Sequence, residues 1–353
     1  MTAFLNKRMR DLAPALTVIC AAVLLIAHSA AVTASLGSAV YRCINVIIPS
    51  LFAFMTVTDL LTCSGGYIYL SYILAPLSLL LGLPVSCGAV FAISNVGGYP
   101  LGAAMISSMY DRGELDKRSA SRLICCCYNG GPAFFSGAVG LAVFGSVRAG
   151  MLVYLSIAAA NCLFCAVFCR IFPVKLDRSQ QGVHFSTGML SDSVSAAGKS
   201  LTLICGMILA FSALTALLEA LAGGLMPSGN YGVLADSLLE ISNLSELSGR
   251  PYRLLPYVAA AGALGGACVL MQVYTLIGGR FPLLPFAAAR AVCAVLSWGI
   301  CSLLAPHFLP AAVSAAAEPE FIVNFNNFTP SLCLIMMIFL TVLQKRLAFS
   351  DKV

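Results

Sequence analysis

Long stretches without a charged residue alternate with short charged segments along the chain. A transmembrane helix needs about 20 mostly apolar residues. The uncharged runs of this length comprise residues 12–32, 60–110, 123–147, 149–169, 200–218, 254–279, 291–317 and 321–344. Because the run 60–110 is long enough for two elements, the pattern predicts an all-α polytopic membrane protein with about ten transmembrane segments.

Two of these runs contain the same kind of interruption. ISNVGGYPLG (93–102) and CYNGGPAFF (127–135) each place an Asn, two adjacent glycines and a proline inside an apolar run. These residues disfavour helix, and non-helical backbone at membrane depth survives only where it is buried in protein or lines a wet cavity. We therefore predict that the two breaks face each other across a binding site, although 93–110 could be either re-entrant or a full crossing.

The second half of the chain carries its own pair of interruptions. SLLEISNLSEL (237–247) is too short to span and is predicted to be re-entrant, and Gly262, Gly265 and Gly266 precede Gln272 in the run 254–279. Broken elements in corresponding places but with opposite direction are typical of inverted-repeat transporters. We predict two such repeats, residues 1–172 and 200–353, joined by a cytoplasmic linker at 173–199.

Basic residues predict the orientation in the membrane. Lys and Arg accumulate in cytoplasmic segments, and a segment without them that carries Glu318 and Glu320 should lie outside. The basic groups are Lys7, Arg8 and Arg10; Arg112, Lys117, Arg118 and Arg122; Arg170, Lys175 and Arg178; and Lys345 and Arg346. Both termini are thus predicted to be cytoplasmic. The N-terminus also has features of a signal peptide, but its apolar run is long enough to be the first helix.

The composition agrees with this class of protein. Of the 353 residues, 60% are hydrophobic and only 10% are charged, and the mean hydropathy is +0.94. A soluble domain carries about 25% charged residues. The net charge of +6 is explained by cytoplasmic loops, so the predicted partners are the lipid bilayer and a small-molecule substrate, with no nucleic acid. Assembly into a homo-oligomer stays open.

Nearly all of the 15 cysteines lie in apolar runs. Cys162, Cys165 and Cys169 have a spacing that resembles a metal motif, but no His or carboxylate lies near them in the sequence. A free Cys is by default a small buried hydrophobe. We therefore predict no metal site and no cofactor, and we leave open whether transport is coupled to H⁺ or Na⁺.

Several blocks, in one order, resemble a known family. GYPLGA (98–103), DRGELDKRSASRL (111–123), NGGP (129–132), SGAVG (136–140), LEIS (239–242) and GG (265–266) followed by Gln272 are similar to the YlbJ (SpoVV) sporulation membrane proteins. These belong with the nucleoside-recognition "gate" domain proteins, which are related to concentrative nucleoside transporters. The sequence differs from the family pattern at Ala104, where many relatives have Lys, and at Tyr128, where relatives often have Asn.

The resemblance implies dipicolinate export across the outer forespore membrane during sporulation. In the predicted mechanism, helix N-termini at the first pair of breaks bind the carboxylates of an anionic solute, and Glu240 couples protonation or gates the site. A carboxylate at membrane depth is costly unless it is hydrogen-bonded, paired or protonated. The predicted solute-binding residues are Asn95, Gly97, Gly98, Tyr99, Asn129, Gly130, Gly131, Ser242, Asn243 and Gln272.

Other interpretations of the same residues stay open. The glycines could serve only close helix packing, Glu240 could be interfacial, and Arg290 is expected at the interface unless it pairs with a carboxylate or an anionic solute. The chain could instead be a nucleoside-type transporter, or a non-transporting scaffold or receptor. An enzyme is not predicted, because Ser136-Gly137 lacks the preceding Gly of a serine protease motif and no metalloprotease or ATPase motif is present.

Overall fold

The structure, a computed structural model, describes residues 2–176, 183–184, 186–222, 229–249 and 252–309. In this part of the chain, helices are joined by short turns, and Leu115 and Leu176 form an isolated antiparallel bridge. The predicted span 321–344 and the segment with Glu318 lie outside the described residues.

The α-helices are numbered in chain order. They are α1 (Thr2–Ala27), α2 (Ser29–Arg42), α3 (Ile48–Cys63), α4 (Tyr67–Ile73), α5 (Ala75–Leu81), α6 (Gly88–Val96), α7 (Leu101–Asp111), α8 (Lys117–Ile124), α9 (Ala142–Phe144), α10 (Val147–Ile171), α11 (Met189–Ala222), α12 (Asn230–Asp236), α13 (Leu255–Leu264), α14 (Gly266–Ile277) and α15 (Leu283–Phe308). The π-helical turns are Cys43–Ile47 and Phe134–Leu141, and the 3₁₀ turns are Val85–Cys87, Ile241–Glu246 and Tyr252–Leu254.

Several of these helices can cross a membrane. Five helical stretches in the described residues are long and apolar enough: Ser29–Ile47, Val147–Ile171, Met189–Ala222, Tyr252–Ile277 and Leu283–Phe308. Two bent pairs, Leu51–Cys63 with Tyr67–Ile73 (94°) and Ala75–Leu81 with Val85–Val96 (101°), raise the number to seven if each is one span. The all-α, integral membrane class is thereby confirmed.

Large apolar side chains cover the outside of the helices. Ile73, Val295 and Leu303 are 76%, 70% and 73% exposed. Such exposure would be unfavourable in water but costs nothing against lipid chains.

The buried residues form two main groups. The larger group, which we call the body, is built from α4–α10 and α13–α15 and contains Phe135, Phe144 and Phe286. The second group, which we call the arm, consists of α2, the turn Cys43–Ile47, α3 and α11. Within the arm, the stretch from α2 to α3 packs against α11. The buried residues at this contact are Ala39, Cys43 and Met55 on one side and Ala197, Leu201 and Cys205 on α11. Leu101 of α7 and Cys268 of α14 join this group, so the arm packs on the body at these two helices.

The helix α11 begins earlier than the linker prediction would suggest. It starts at Met189, inside the segment 173–199 that the sequence analysis treated as a linker. Because the helix runs from Met189 to Ala222, it is longer than the uncharged run 200–218 that predicted it. The charged residues Asp192 and Lys199 lie in its first turns, where they can remain at the membrane surface.

Candidate functional site

A cavity of about 90 Å³ lies where the arm meets the body. Gly97, Gly98, Tyr99 and Gly131 line it from the first pair of breaks, and Glu240, Ser242 and Gln272 line it from the second half of the chain. The arm closes the cavity with an apolar wall formed by Ile47, Leu51, Phe54, Ile204 and Ile208. Residues from both predicted pairs of breaks therefore meet at one site.

The first pair of breaks touches backbone to backbone. Gly98 lies between α6 and α7 with φ +90, and a Cβ atom placed on it would lie 3.1 Å from the Gly131 nitrogen. A side chain at Gly98 is thus disfavoured both by its backbone conformation and by the neighbouring chain. Gly102 makes a second close approach, because an added Cβ would lie 2.2 Å from the Cys127 oxygen. These glycines serve close packing as well as the break in the helix.

Three backbone N–H groups at the first pair are unpaired. The amides of Gly98, Tyr99 and Gly131 donate no hydrogen bond within the described part of the chain, although all three residues line the cavity. Because their residues line the cavity, these N–H groups are candidate donors to a bound solute.

At the second pair of breaks, backbone N–H groups of one element donate hydrogen bonds to backbone carbonyls of the other. Gly265 and Gly266 have φ +82 and +75; Gly265 separates α13 from α14, and Gly266 is the first residue of α14. The first amides of α14 then donate to the re-entrant segment: Ala267 N–H to the Leu238 oxygen and Cys268 N–H to the Leu239 oxygen, both at 2.8 Å. The segment 237–247 thus caps the broken helix with its own carbonyls.

Glu240 follows these two carbonyls and is only 1% exposed. Its Oε2 accepts hydrogen bonds from the Ser242 amide at 3.0 Å and from the Ser242 hydroxyl. The carboxyl group is therefore held in the cavity wall at the start of the turn Ile241–Glu246. An interfacial position for Glu240, the alternative from the sequence, does not agree with this burial.

Arg42 of the arm binds the same re-entrant segment. Its Nη1 forms an ion pair with Glu246 Oε1 at 2.5 Å, and its Nη2 donates to Asn243 Oδ1 at 3.2 Å. Asn243 in turn donates to the Asp236 oxygen at 3.4 Å. These contacts connect the arm to the second half of the chain next to Glu240.

Four of the predicted solute-binding residues do not line the cavity. Asn95 donates to the Phe91 oxygen and accepts from Asn161, both at 2.8 Å. Asn243 binds Arg42 as described above. Gly130 packs so closely that an added Cβ would lie 2.5 Å from the Phe135 ring. Asn129 is fully buried, and neither its Nδ2 nor its Oδ1 has a hydrogen-bond partner among the described residues.

The sequence analysis did not identify the polar network behind the first pair of breaks. Arg290, expected at the interface unless it pairs with a carboxylate or an anionic solute, is fully buried within the protein. It donates to Asn161 Oδ1 at 3.0 Å, to the Tyr128 oxygen at 3.3 Å and to the Cys125 oxygen. Its guanidinium carbon also lies 5.0 Å from the centre of the Tyr128 ring, a distance that favours a cation–π contact.

This network binds the carbonyls that the break after α8 leaves free. The sequence contained one signal for this network: Asn161 is a polar residue inside the apolar run 149–169, and polar side chains in a membrane span need a partner.

The apolar wall of the cavity was not predicted, for a different reason. Arg42 and Asp59 both interrupt the apolar pattern between residues 29 and 63, so this long stretch of helix was not recognised as an uncharged run.

The two tyrosines of the first pair reach across to the broken helix of the second half. The Tyr99 hydroxyl donates to the Gly262 oxygen, and the Tyr128 hydroxyl donates to the Leu264 oxygen at 3.3 Å. Their ring centres are 4.7 Å apart. The interrupted elements of the two halves are therefore joined by hydrogen bonds beside the cavity.

Comparison of the chain with models of known protein families, with curated proteins and with solved structures gives no match.

Proposed function

We propose that the chain is a membrane transporter whose solute binds in the cavity between the arm and the body. The observation that carries this proposal is the meeting of both interrupted pairs, Gly97–Tyr99 with Gly131 and Glu240–Ser242 with Gln272, around one cavity. In transporters with broken helices, solute sites lie where such interrupted elements come together. A chain that used these breaks only for packing would not need unpaired donors and a carboxyl group in the same wall.

The chemistry of the wall favours a small anionic solute with an apolar or aromatic part. Gly98, Tyr99 and Gly131 supply N–H groups that donate to no other part of the described chain, and α7 begins at Leu101 immediately after this break. Helix N-termini and free amides attract anions. The opposite wall, with Leu51 and Phe54, offers apolar surface. Gln272 Nε2 donates to Cys268 Sγ at 3.3 Å.

In this proposal Glu240 couples solute binding to protonation. An ionised carboxylate in the same small cavity repels an anion, and that repulsion is strong because little water screens it. The anion therefore binds best when Glu240 is protonated. Transport coupled to H⁺ follows from this arrangement, and Na⁺ coupling is the alternative that an ion-replacement experiment separates.

We further propose that the two halves form an inverted repeat of about ten crossings, with both termini in the cytoplasm. Supporting this, Arg122 donates to the Pro173 oxygen and Arg280 pairs with Asp111, so loops rich in basic residues meet at one end of the body. Cysteine labelling in intact cells should place the loop 111–122 inside and the segment around Glu318 outside. Labelling of both from the same side would contradict the repeat.

The resemblance to the YlbJ family makes dipicolinate, an aromatic dicarboxylate, the first solute to test. The corresponding proposed role is export across the outer forespore membrane of a spore former. Purified protein in proteoliposomes should transport dipicolinate in preference to nucleosides, and an empty-vesicle control should not. Preference for a nucleoside would indicate a nucleoside-type transporter. Saturable binding of a solute without any flux would indicate a receptor or scaffold instead.

A further inference from the structure

Three cysteine side chains converge in the body, away from the cavity. Cys126 follows α8, and Cys165 and Cys169 lie one turn apart on α10. The Sγ atoms of Cys126 and Cys169 are 3.8 Å apart, those of Cys165 and Cys169 are 3.7 Å apart, and all three lie within 4.8 Å of one another. The sequence analysis had considered Cys165 and Cys169 but had no reason to place Cys126 beside them.

We propose that Cys126, Cys165 and Cys169 bind one thiophilic divalent cation of the zinc class. A zinc–sulfur bond of about 2.3 Å with tetrahedral angles places two sulfur atoms about 3.8 Å apart. The two measured separations already have this value, so binding requires no large movement of either helix. Among the described residues this group contains no fourth His, Cys, Asp or Glu ligand, which leaves one coordination position for an exogenous ligand.

A disulfide fits the same atoms less well. An S–S bond is about 2.05 Å long, so Cys126 and Cys169 would have to approach by well over an ångström from their separation of 3.8 Å. Such a bond would also leave the third thiol unused. The convergence of three sulfur atoms instead of two therefore points to a metal.

Metal binding changes the charge of this group. It converts three thiols and one divalent cation into a complex with a net charge of −1 and releases three protons. Arg122, in the last turn of α8, donates to the Pro173 oxygen at 2.7 Å. A cationic side chain therefore connects the two segments that carry the three cysteines.

The three cysteines are no more than 1% exposed. A cation therefore reaches them only through a local rearrangement of the side chains packed around them.

The test is a titration of the reduced, metal-free protein in detergent with Cd²⁺. We expect one cation per chain with ultraviolet thiolate-to-cadmium absorption, release of about three protons, and displacement by Zn²⁺. Cys126→Ser, Cys165→Ser and Cys169→Ser should each weaken binding by at least about tenfold, because loss of an outer-shell partner alone costs 10- to 100-fold.

Two serine variants serve as matched controls. Cys162 lies on α10 but outside the group of three cysteines, and Cys205 lies in the arm. The variants Cys162→Ser and Cys205→Ser should therefore both bind Cd²⁺ like the wild type. Binding that is unaffected by the three substitutions, or absent from the wild type, would overturn the proposal. If a variant fails to fold, X-ray absorption of the zinc-loaded wild type decides the question. We expect three sulfur ligands at about 2.3 Å, and a shell of oxygen and nitrogen alone would contradict the site.

Discussion

At the first pair of breaks, the side chains of Arg290 and Asn161 bind backbone carbonyls that the interruption leaves free. At the second, the backbone of Leu238 and Leu239 receives the first amides of α14. The two pairs therefore leave different groups for a solute. The first pair presents the N–H groups of Gly98, Tyr99 and Gly131, which have no partner among the described residues, whereas the second presents the carboxyl group of Glu240.

This difference assigns separate tasks to the two regions. Donors fixed by a buried side-chain network are suited to holding an anion, because their positions do not depend on the solute. A carboxyl group on a short re-entrant segment is suited to responding to protonation. Substitutions in the supporting network should therefore reduce stability, whereas substitutions at the cavity should change transport.

The largest effect on stability is expected from Arg290→Met. This change leaves two buried acceptors, the Cys125 carbonyl and Asn161 Oδ1, without their charged donor, at a cost of about 2–6 kcal/mol. Thermal or denaturant unfolding of the protein in detergent measures it. Arg280→Met is the matched control, since Arg280 forms a partly exposed ion pair with Asp111, and its loss should cost at most about 1 kcal/mol. Equal stability of Arg290→Met and the wild type would show that desolvation of the guanidinium cancels its hydrogen bonds.

Gly265→Ala tests the close approach of the two halves. Gly265 has φ +82, and an added Cβ would lie 1.6 Å from the Tyr128 hydroxyl oxygen. Backbone strain and overpacking together should cost about 2–5 kcal/mol. At Gly278, with φ +57, the nearest atom to an added Cβ is 3.9 Å away, so Gly278→Ala should cost only the strain of about 1–2 kcal/mol. The difference in melting temperature between the two variants isolates the contact, and identical values would argue against it.

The two asparagines of the first pair should behave differently. Asn95→Ala removes two hydrogen bonds and should lower the unfolding free energy by about 1–3 kcal/mol. Asn129 forms no hydrogen bond with the described residues, so Asn129→Ala should change stability by less than about 1 kcal/mol. If the unpaired Asn129 amide serves the solute, this variant should nevertheless abolish transport. A stable and fully active Asn129→Ala protein would remove the residue from the site.

Part of this arrangement was predictable from the sequence because apolar runs and helix-breaking residues are local signals. The helical membrane class and the breaks near Gly98 and Gly131 were found in this way. The site was predictable only in part, since polar type alone does not tell whether a side chain contacts a cavity or a neighbouring carbonyl. Asn95 and Asn243 satisfy backbone or side-chain partners, and Gly98 and Gln272 line the cavity.

The features that could not be predicted depend on contacts between segments that are distant in the sequence. Arg290 finds its partners 129 and 162 residues away, at Asn161 and Tyr128, and no local pattern specifies such a pairing. The helices α2 and α3 of the arm were not predicted because Arg42 and Asp59 divide their stretch of the sequence. The partner of Arg42, Glu246, lies 204 positions further along the chain. The contact between Cys126 and Cys169 of α10 likewise joins residues that are distant in the sequence, and no local pattern predicts it.

The central claim is that the cavity binds an anion together with a proton on Glu240. The most direct test measures uptake into proteoliposomes across a range of external pH, using the solute from the transport screen. Wild-type uptake should rise as the external pH falls. Glu240→Gln, which keeps the shape and removes the charge, should fold and insert but lose accumulation, and its residual flux should not depend on pH. Glu246→Gln, at the more exposed carboxylate of the Arg42 ion pair, should keep the wild-type pH dependence. A Glu240→Gln protein with the wild-type rate and an unchanged pH profile would contradict the claim.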